Sequence, residues 1–531
     1  MSSYWINSTK NVRKYDKLNK NIETDVCIVG GGITGISTAY SLLNKKKSLR
    51  VVVIEKDRVG LQTTGNSTAK ITSQHGLFYK YLKNSKGEEF AKMYYEANEE
   101  AIENIKKIIE KENIECDLEK QSAYVVATGQ EDVQELKDEV DIIKSFGGKA
   151  KYIEKEEIDK NLSVLNPIAA IEFENQAQFN SYKYVTELAK ICKNLGAEIY
   201  ENTKAVEIKN EDGYYSIETE DGYLIKVKYL VIATKYPIVN MPGFYFLKMY
   251  QSTSYGISMY VNEKLFDGMY ITFANPKVSL RMAKVENKYN NLTEKDEEEN
   301  KQDRGERNSK SDNGYVLIVV GSDHKTGEKI DLSNSYKNLE NIAKQICPNG
   351  KVENYWNTED CITLDKIPYI GKYSTMWENA YVATGFNKWG ITTSNIAANI
   401  IADMILERKN RYEDIFVSTR VEPVKNRQEM GNMLKETVNS LVIKKFVLPE
   451  EEQENLKEGE GKIIEIDGEK VGAYKDKDGK IYTIAPKCAH LGCELSWNNL
   501  DKTWDCPCHG SRYEYTGKMI YGPTVKDLNF E

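Results

Sequence analysis

The chain has 531 residues, 40% hydrophobic and 29% charged, with a net charge of −8. That length predicts two or three domains, and the balance excludes a disordered chain. No run approaches the ~20 apolar residues that cross a bilayer, and Met1–Trp5 lacks the basic-then-apolar start of a signal peptide. Lys and Arg are dispersed and outnumbered by acids, so no nucleic-acid partner is expected. A cytoplasmic location without an integral membrane segment follows as the expectation.

Near the N-terminus Val26, Cys27, Ile28 and Val29 read as a strand. Gly30-Gly31-Gly32-Ile33-Thr34-Gly35 then opens a helix, and a second strand at 51–54 ends in Glu55. A G-x-G-x-x-G turn between strand and helix, with an acid about 20 residues on, is a dinucleotide cradle. Gly30 permits the tight turn, Gly32 lets a pyrophosphate approach the backbone, and Gly35 lets the helix pack on the strand. The helix N-terminus favours phosphates. Glu55 can accept from both ribose hydroxyls and disfavours a 2′-phosphate.

Apolar positions stepping by three and four predict a long helix over 87–112. A strand at 124–127 and helices at 131–146 and 182–195 follow. Segments 203–208, 214–218, 223–227 and 229–233 read as four strands. The charged stretch at about 287–313, with almost no apolar residue, reads as a mobile surface insertion. A helix at 393–407 is introduced by Gly390. Beyond 416 the α/β pattern gives way to a polar connector with a helix at 433–446. Short strands at 462–466, 470–474 and 480–484 begin a small all-β segment.

Nine Cys and four His occur, and Cys488, His490, Cys493, Cys506, Cys508 and His509 crowd the last tenth of the chain. In a reducing compartment such a cluster reads as a metal site. Two Cys-His pairs on two loops suit a [2Fe–2S] centre, and Cys₂His₂ also suits zinc. The remaining cysteines are scattered and read as buried or neutral.

The small, polar run from Gly60 to Lys70 resembles the loop of the D-amino-acid-oxidase superfamily that wraps the FAD pyrophosphate and approaches the isoalloxazine. Lys204-Ala205-Val206 resembles the strand whose backbone meets the adenine, and Val231-Ile232-Ala233-Thr234 the strand that closes over FAD. The segments from Asp365 to Gly371 and from Ala383 to Ile391 resemble the C-terminal flavin signature. There a glycine loop and a helix N-terminus face the flavin N1–C2=O edge and favour negative charge on it. The resemblance implies FAD held by Gly30, Gly32, Gly35, Glu55, Thr63, Thr64, Thr68, Lys70, Val206, Ala233, Gly385, Lys388, Gly390 and Ile391.

The two cysteine-histidine boxes resemble those of Rieske proteins of the high-potential type. The resemblance implies Cys488 and Cys506 on one iron, His490 and His509 on the other, and a Cys493–Cys508 disulfide joining the loops. It also implies hydrogen bonds from Ser511 and Tyr513 that raise the cluster potential, and a covering proline loop at Gly522-Pro523.

The expected fold class is α/β. An N-terminal Rossmann-like FAD-binding domain (about 20–80, 181–240 and 350–415) interleaves with an α+β substrate domain (about 81–180 and 241–349). A connector at 416–450 and a small all-β Rieske domain at 451–531 complete it. The combination implies an FAD-dependent oxidoreductase that oxidises a C–N bond of a small amine or amino acid by hydride transfer. Its electrons would pass singly to the cluster and on to an unknown acceptor. In amino-acid-oxidising members an arginine precedes the Asp-x-x-Pro-x-x-Gly segment, whereas Asp360 stands at about that place here, which suits a cationic amine. Arg281 could anchor a carboxylate from another strand, and His75 could act beside the flavin. A Rieske oxygenase would need a second histidine-rich iron site, and His75 and His324 are far apart in sequence. An electron-transfer or redox-sensing protein without its own organic substrate is the alternative.

Overall fold

The computed structural model describes residues 2–273, 277–285, 314–420, 456–466 and 468–528. The expected insertion at 287–313 and connector helix at 433–446 lie outside the described residues.

The first sheet grows from the dinucleotide cradle. Strand β1 (Ile22–Val29) pairs in parallel with β2 (Val51–Ile54) on one side and with Leu224–Ile232 on the other. Helix α1 (Ile33–Lys45) crosses between β1 and β2, and nearly all its residues are buried. A central parallel sheet covered on both faces reads as continuous apolar strands, as Val51–Ile54 does. The strands expected at 223–227 and 229–233 are one strand, Leu224–Ile232. Its first half alternates buried and exposed residues against the hairpin partner Tyr214–Thr219, and its second half is buried against β1. The strand is paired on both sides in each half, but only the half between β1 and Ala380–Thr384 is buried on both faces, so its hydrophobic period changes midway.

A second sheet has the order Lys351–Thr363, Met249–Val261, Gly314–Lys325, Val278–Val285, Met269–Thr272, Ala123–Ala127, Ala169–Phe173 and Ala150–Glu154. Two of its strands, β3 (Met249–Val261) and β4 (Lys351–Thr363), are long antiparallel partners in which Ser252 lies opposite Asp360 and Thr253 opposite Glu359. The expected long helix is Glu88–Lys111. It packs with α1 against α2 (Gly390–Ile405), the helix introduced by Gly390.

The C-terminal segment forms two small antiparallel sheets, Gly461–Ile466 with Glu469–Lys475 and Ile481–Ile484, and four short strands between Ser496 and Tyr521. Its own core is small, centred on Ile484, Leu495, Trp504 and Tyr513. It packs on the reverse side of β3 and β4 through buried polar contacts. Arg512 is fully buried, with its guanidinium paired to Glu359 of β4 as well as to Asp501 (2.7 Å) and Asp505 (3.0 Å). No helix of the described residues is long and apolar enough to cross a membrane.

Candidate active site and metal centre

One cavity of about 690 Å³ runs from the glycine turn, along the Thr63–Lys70 loop, to the start of α2. Its volume is in the range of cofactor sites. Gly30 (φ +114°) and Gly32 line it. A Cβ on Gly30 would collide with the Ala233 carbonyl, so this turn excludes every other residue. Gly35 lies off the cavity, and a Cβ there would overlap the Gly30 carbonyl, so its absence lets α1 seat on β1. Glu55 accepts from the backbone N–H of Gly31 (2.7 Å) and of Asp57 (3.0 Å). Burial raises its pKa, and those donors oppose the rise. Thr64 Oγ1 accepts from Ile33 N (3.0 Å), and Thr63 Oγ1 donates to the Glu359 carbonyl (3.3 Å), which ties the loop to α1 and β4.

Thr63, Thr64, Thr68, Lys70, Ala233, Gly385, Lys388, Gly390 and Ile391 all line the cavity. Val206 does not line it, and its neighbour Ala205 does. Gly385 (φ +70°) and Lys388 (φ +75°) bend the chain so that the α2 N-terminus faces the cavity. No side chain caps that terminus, which leaves its amides for a ligand.

Several titratable groups share this space. Lys70 is buried, donates to the Tyr270 carbonyl (2.9 Å) and Ser279 Oγ (2.7 Å), and burial lowers its pKa to about 7. His75 stacks on Trp389 (4.7 Å between centroids) and its Nδ1 meets Tyr94 Oη at 2.9 Å. Burial lowers its pKa to about 3, so it is neutral. Lys388 donates to Ser254 Oγ (2.7 Å) and pairs with Asp323 (2.8 Å). Asp360 lines the cavity too, and burial raises its pKa against the pull of Lys388 and Lys235. Arg281 is not in the cavity. It is buried over the Trp5 ring (4.7 Å) and donates to the carbonyls of Thr68 (2.9 Å), Ala69 (2.6 Å) and Phe179 (3.4 Å). The expected carboxylate anchor is therefore a brace for the Thr63–Lys70 loop. Asp323 was not legible as a site residue, because its partner Lys388 lies 65 positions away.

The cysteine-histidine loops lie close behind. The Cys488 and Cys506 sulfurs are in mutual hydrogen-bonding contact, and Tyr513 Oη meets Cys488 Sγ at 3.3 Å. Cys493 and Cys508 are joined Sγ to Sγ. The His490 and His509 rings stand 5.0 Å apart, and Phe246 packs edge-on against both. His490 Nε2 donates to Asn240 Oδ1 (2.7 Å), which leaves Nδ1 as the lone-pair nitrogen. The Nδ1 atoms of both histidines are buried without a partner among the described residues. Burial lowers their pKa values to about 4 and about 3, so both rings are neutral, as metal ligands must be. Two adjacent sulfurs and two orphaned imidazole nitrogens fit a Cys₂His₂-ligated [2Fe–2S] cluster. Ser511 is fully buried beside them, its Oγ accepting from Thr524 N at 3.4 Å.

Residues 25–404 match the family of FAD dependent oxidoreductases (DAO), and residues 447–530 match the Rieske [2Fe-2S] domain. The chain is 34% identical over 528 residues to YhfW of Bacillus subtilis (strain 168), named as a Rieske 2Fe-2S iron-sulfur protein, covering 99% of this chain and 96% of that one. It is 21% identical over 422 residues to the gamma-glutamylputrescine oxidoreductase of Escherichia coli (strain K12), covering 78% and 90%. The glycine oxidase structure from Geobacillus kaustophilus superposes with a TM-score of 0.60 at 17% identity, over 76% of this chain and all of that one. FAD and a [2Fe–2S] cluster are the cofactors these matches bring to the cavity and the loops. This chain belongs to the FAD-dependent oxidoreductase family and carries a Rieske domain at its C-terminus.

Proposed function

We propose that the protein oxidises a C–N bond of a small amine or amino acid and passes the electrons singly through the cluster to an external one-electron acceptor. One observation carries the reading. The cavity that begins at the glycine cradle is also lined by Tyr521, Gly522 and Thr524 of the C-terminal domain, with Tyr521 under the Lys56 and Lys235 ammonium groups. Bound FAD supplies a two-electron hydride acceptor that can also release electrons one at a time.

The chain's own residues do the rest. Glu55 and the Gly30–Gly32 turn orient the cofactor's ribose and pyrophosphate ends. The uncapped α2 N-terminus favours negative charge on the flavin edge. Asp360 and Asp323 offer carboxylates to a substrate ammonium, and Lys388 fixes Asp323 by its ion pair. His75, held neutral and stacked on Trp389, packs the flavin side of the cavity and adds no charge. With Arg281 engaged elsewhere, a substrate carboxylate would meet lysines such as Lys277 and Lys366, and a substrate ammonium the carboxylates of Asp360 and Asp323. We assign Cys488 and Cys506 to one iron and His490 and His509 to the other, with the Cys493–Cys508 bond tying the two loops and Ser511 and Tyr513 donating to cluster sulfurs. The organisation we infer is an FAD module at about 1–415, a connector at 416–450 and a cluster module at 451–531.

The test is an anaerobic titration of the cofactor-replete protein with a panel of amines and amino acids. Bleaching of the flavin band by one compound, followed by the reduced-cluster EPR signal, is the expected result. Bleaching by NADH or a reduced carrier and by no organic amine would instead make the protein an electron-transfer device.

A further inference from the structure

The cavity and the cluster loops lie on opposite faces of the same two strands. On one face Tyr250, Ser252 and Ser254 of β3 and Thr358, Asp360 and Ile362 of β4 line the cavity, and Cys361, opposite Gln251, lines it as well. Successive strand residues point to opposite faces, and the intervening Gln251 and Glu359 turn to the C-terminal domain. Gln251 Nε2 lies 3.0 Å from the His509 carbonyl, 2.8 Å from that of Gly510 and 2.6 Å from that of Gly522. Its two hydrogens thus serve the second cluster loop and the proline loop together. Gly522 itself lines the cavity, so one buried side chain joins the cavity wall to the backbone of a cluster ligand. Glu359 is fully buried and pairs with Arg512, three residues beyond His509. Thr326 N donates to the Gln251 carbonyl (3.0 Å), and Gly327 (φ +79°) sits so close to Cys506 and Pro507 that any side chain there would collide with their backbone. Tyr236 completes the wall: it lines the cavity, its hydroxyl is buried without a partner among the described residues, and it lies within electrostatic reach of Cys361 and Cys506.

We propose that Gln251, assisted by Glu359, is a positioning residue that clamps the second cluster loop to the back of the β3–β4 wall, so that electrons pass from FAD to the cluster within one chain across a single strand layer. Each transfer moves one electron from the reduced flavin to the oxidised cluster, and over the pair of transfers the proton of the accepted hydride leaves the flavin N–H for solvent. Two such transfers follow each substrate oxidation, and an external one-electron acceptor re-oxidises the cluster between them. The proposal rests on the reading that FAD feeds the cluster.

The experiment is pulsed photoreduction of the flavin in anaerobic, fully loaded protein, following the flavin band and the reduced-cluster signal. In the unaltered protein the transfer is expected to be first order, with a rate constant unchanged on dilution. Gln251→Leu and Glu359→Gln, at equal FAD and iron content, are expected to slow it several-fold, because a loosened cluster loop lengthens the path for the electron. Gln251→Leu is also expected to shift the g-values of the chemically reduced cluster, a readout that a general loss of stability does not move. A rate constant that rises with protein concentration, or a Gln251→Leu rate and spectrum equal to wild type, overturns the proposal alone. Should the variants fail to hold both cofactors, the dilution series on the unaltered protein decides. No cluster reduction by flavin at any concentration overturns the underlying reading, and the proposal with it.

Discussion

Individual side chains carry much of this architecture, and their substitution separates bracing from chemistry. Arg281→Met removes the guanidinium from which the Thr68, Ala69 and Phe179 carbonyls accept, and among the described residues only Ala69 keeps a second donor, Phe179 N. A buried unsatisfied group costs about 1–3 kcal/mol, so a lower melting temperature and weaker FAD retention are expected. Calorimetry and flavin release check this, and an effect confined to substrate affinity would restore the anchoring role. His75 makes a pH prediction. Its folded pKa of about 3 lies below the ordinary 6.5, so the unfolded chain binds a proton that the folded chain refuses. Stability from this group is complete above the unfolded value and lost as the pH falls from 6.5 toward 3. At pH 5 the loss is about 2 kcal/mol. Melting curves at pH 7 and pH 5 should therefore differ less in His75→Phe than in wild type. At this scale the sequence was informative where backbone chemistry dictates residue type. Gly30 and Gly32 stand in the tight turn that lines the cavity, and Glu55 accepts from that turn at Gly31 N. Arg281 was ambiguous because an arginine at a strand position looks alike whether it meets a ligand or three carbonyls.

Elements explain what the hydrophobic pattern could and could not disclose. β1, α1 and β2 were legible because the glycine turn marks where a short apolar strand gives way to a helix, and a second apolar strand follows. β3 and β4 were not. The second half of β3 alternates, with Tyr255, Ile257, Met259 and Val261 in one core, but the half facing the cavity and the C-terminal domain is Gln251, Ser252, Thr253 and Ser254, so no apolar alternation marks it. The small C-terminal domain depends on staples that the Cys and His spacing does mark. Its Cys493–Cys508 link encloses a 15-residue separation, and a loop of that size corresponds to about 3 kcal/mol in the chain-entropy account. The Cys493→Ser/Cys508→Ser double variant is expected to lose about that much stability and to shed iron faster, measured by denaturation and iron release. Equal iron retention would show that the bond has no part in holding the loops.

At the scale of the molecule, Arg512 joins the two domains. It is a buried cation among Glu359, Asp501 and Asp505. Removing one partner of a buried ion pair costs about 3–5 kcal/mol, because the remaining charges stay uncompensated. Arg512→Met should therefore weaken the dock and split one thermal transition into two, the second domain melting first. A single transition at the wild-type temperature would exclude this coupling. Nothing in the sequence pairs Arg512 with Glu359, since 153 residues separate them and neither sits in a recognisable motif.

The alternation along β3 and β4 has a consequence for how such a protein can change. Ser252 and Asp360 face the substrate side, and Gln251 and Glu359 face the iron side, one residue apart. A shift of either strand that remoulds the substrate pocket moves the cluster loop as well. Selection for a new substrate through these strands is therefore also selection on the electron outlet. Variants that alter the cavity away from this sheet, at Leu77 or Phe78, are the ones free to change substrate without moving the cluster loop.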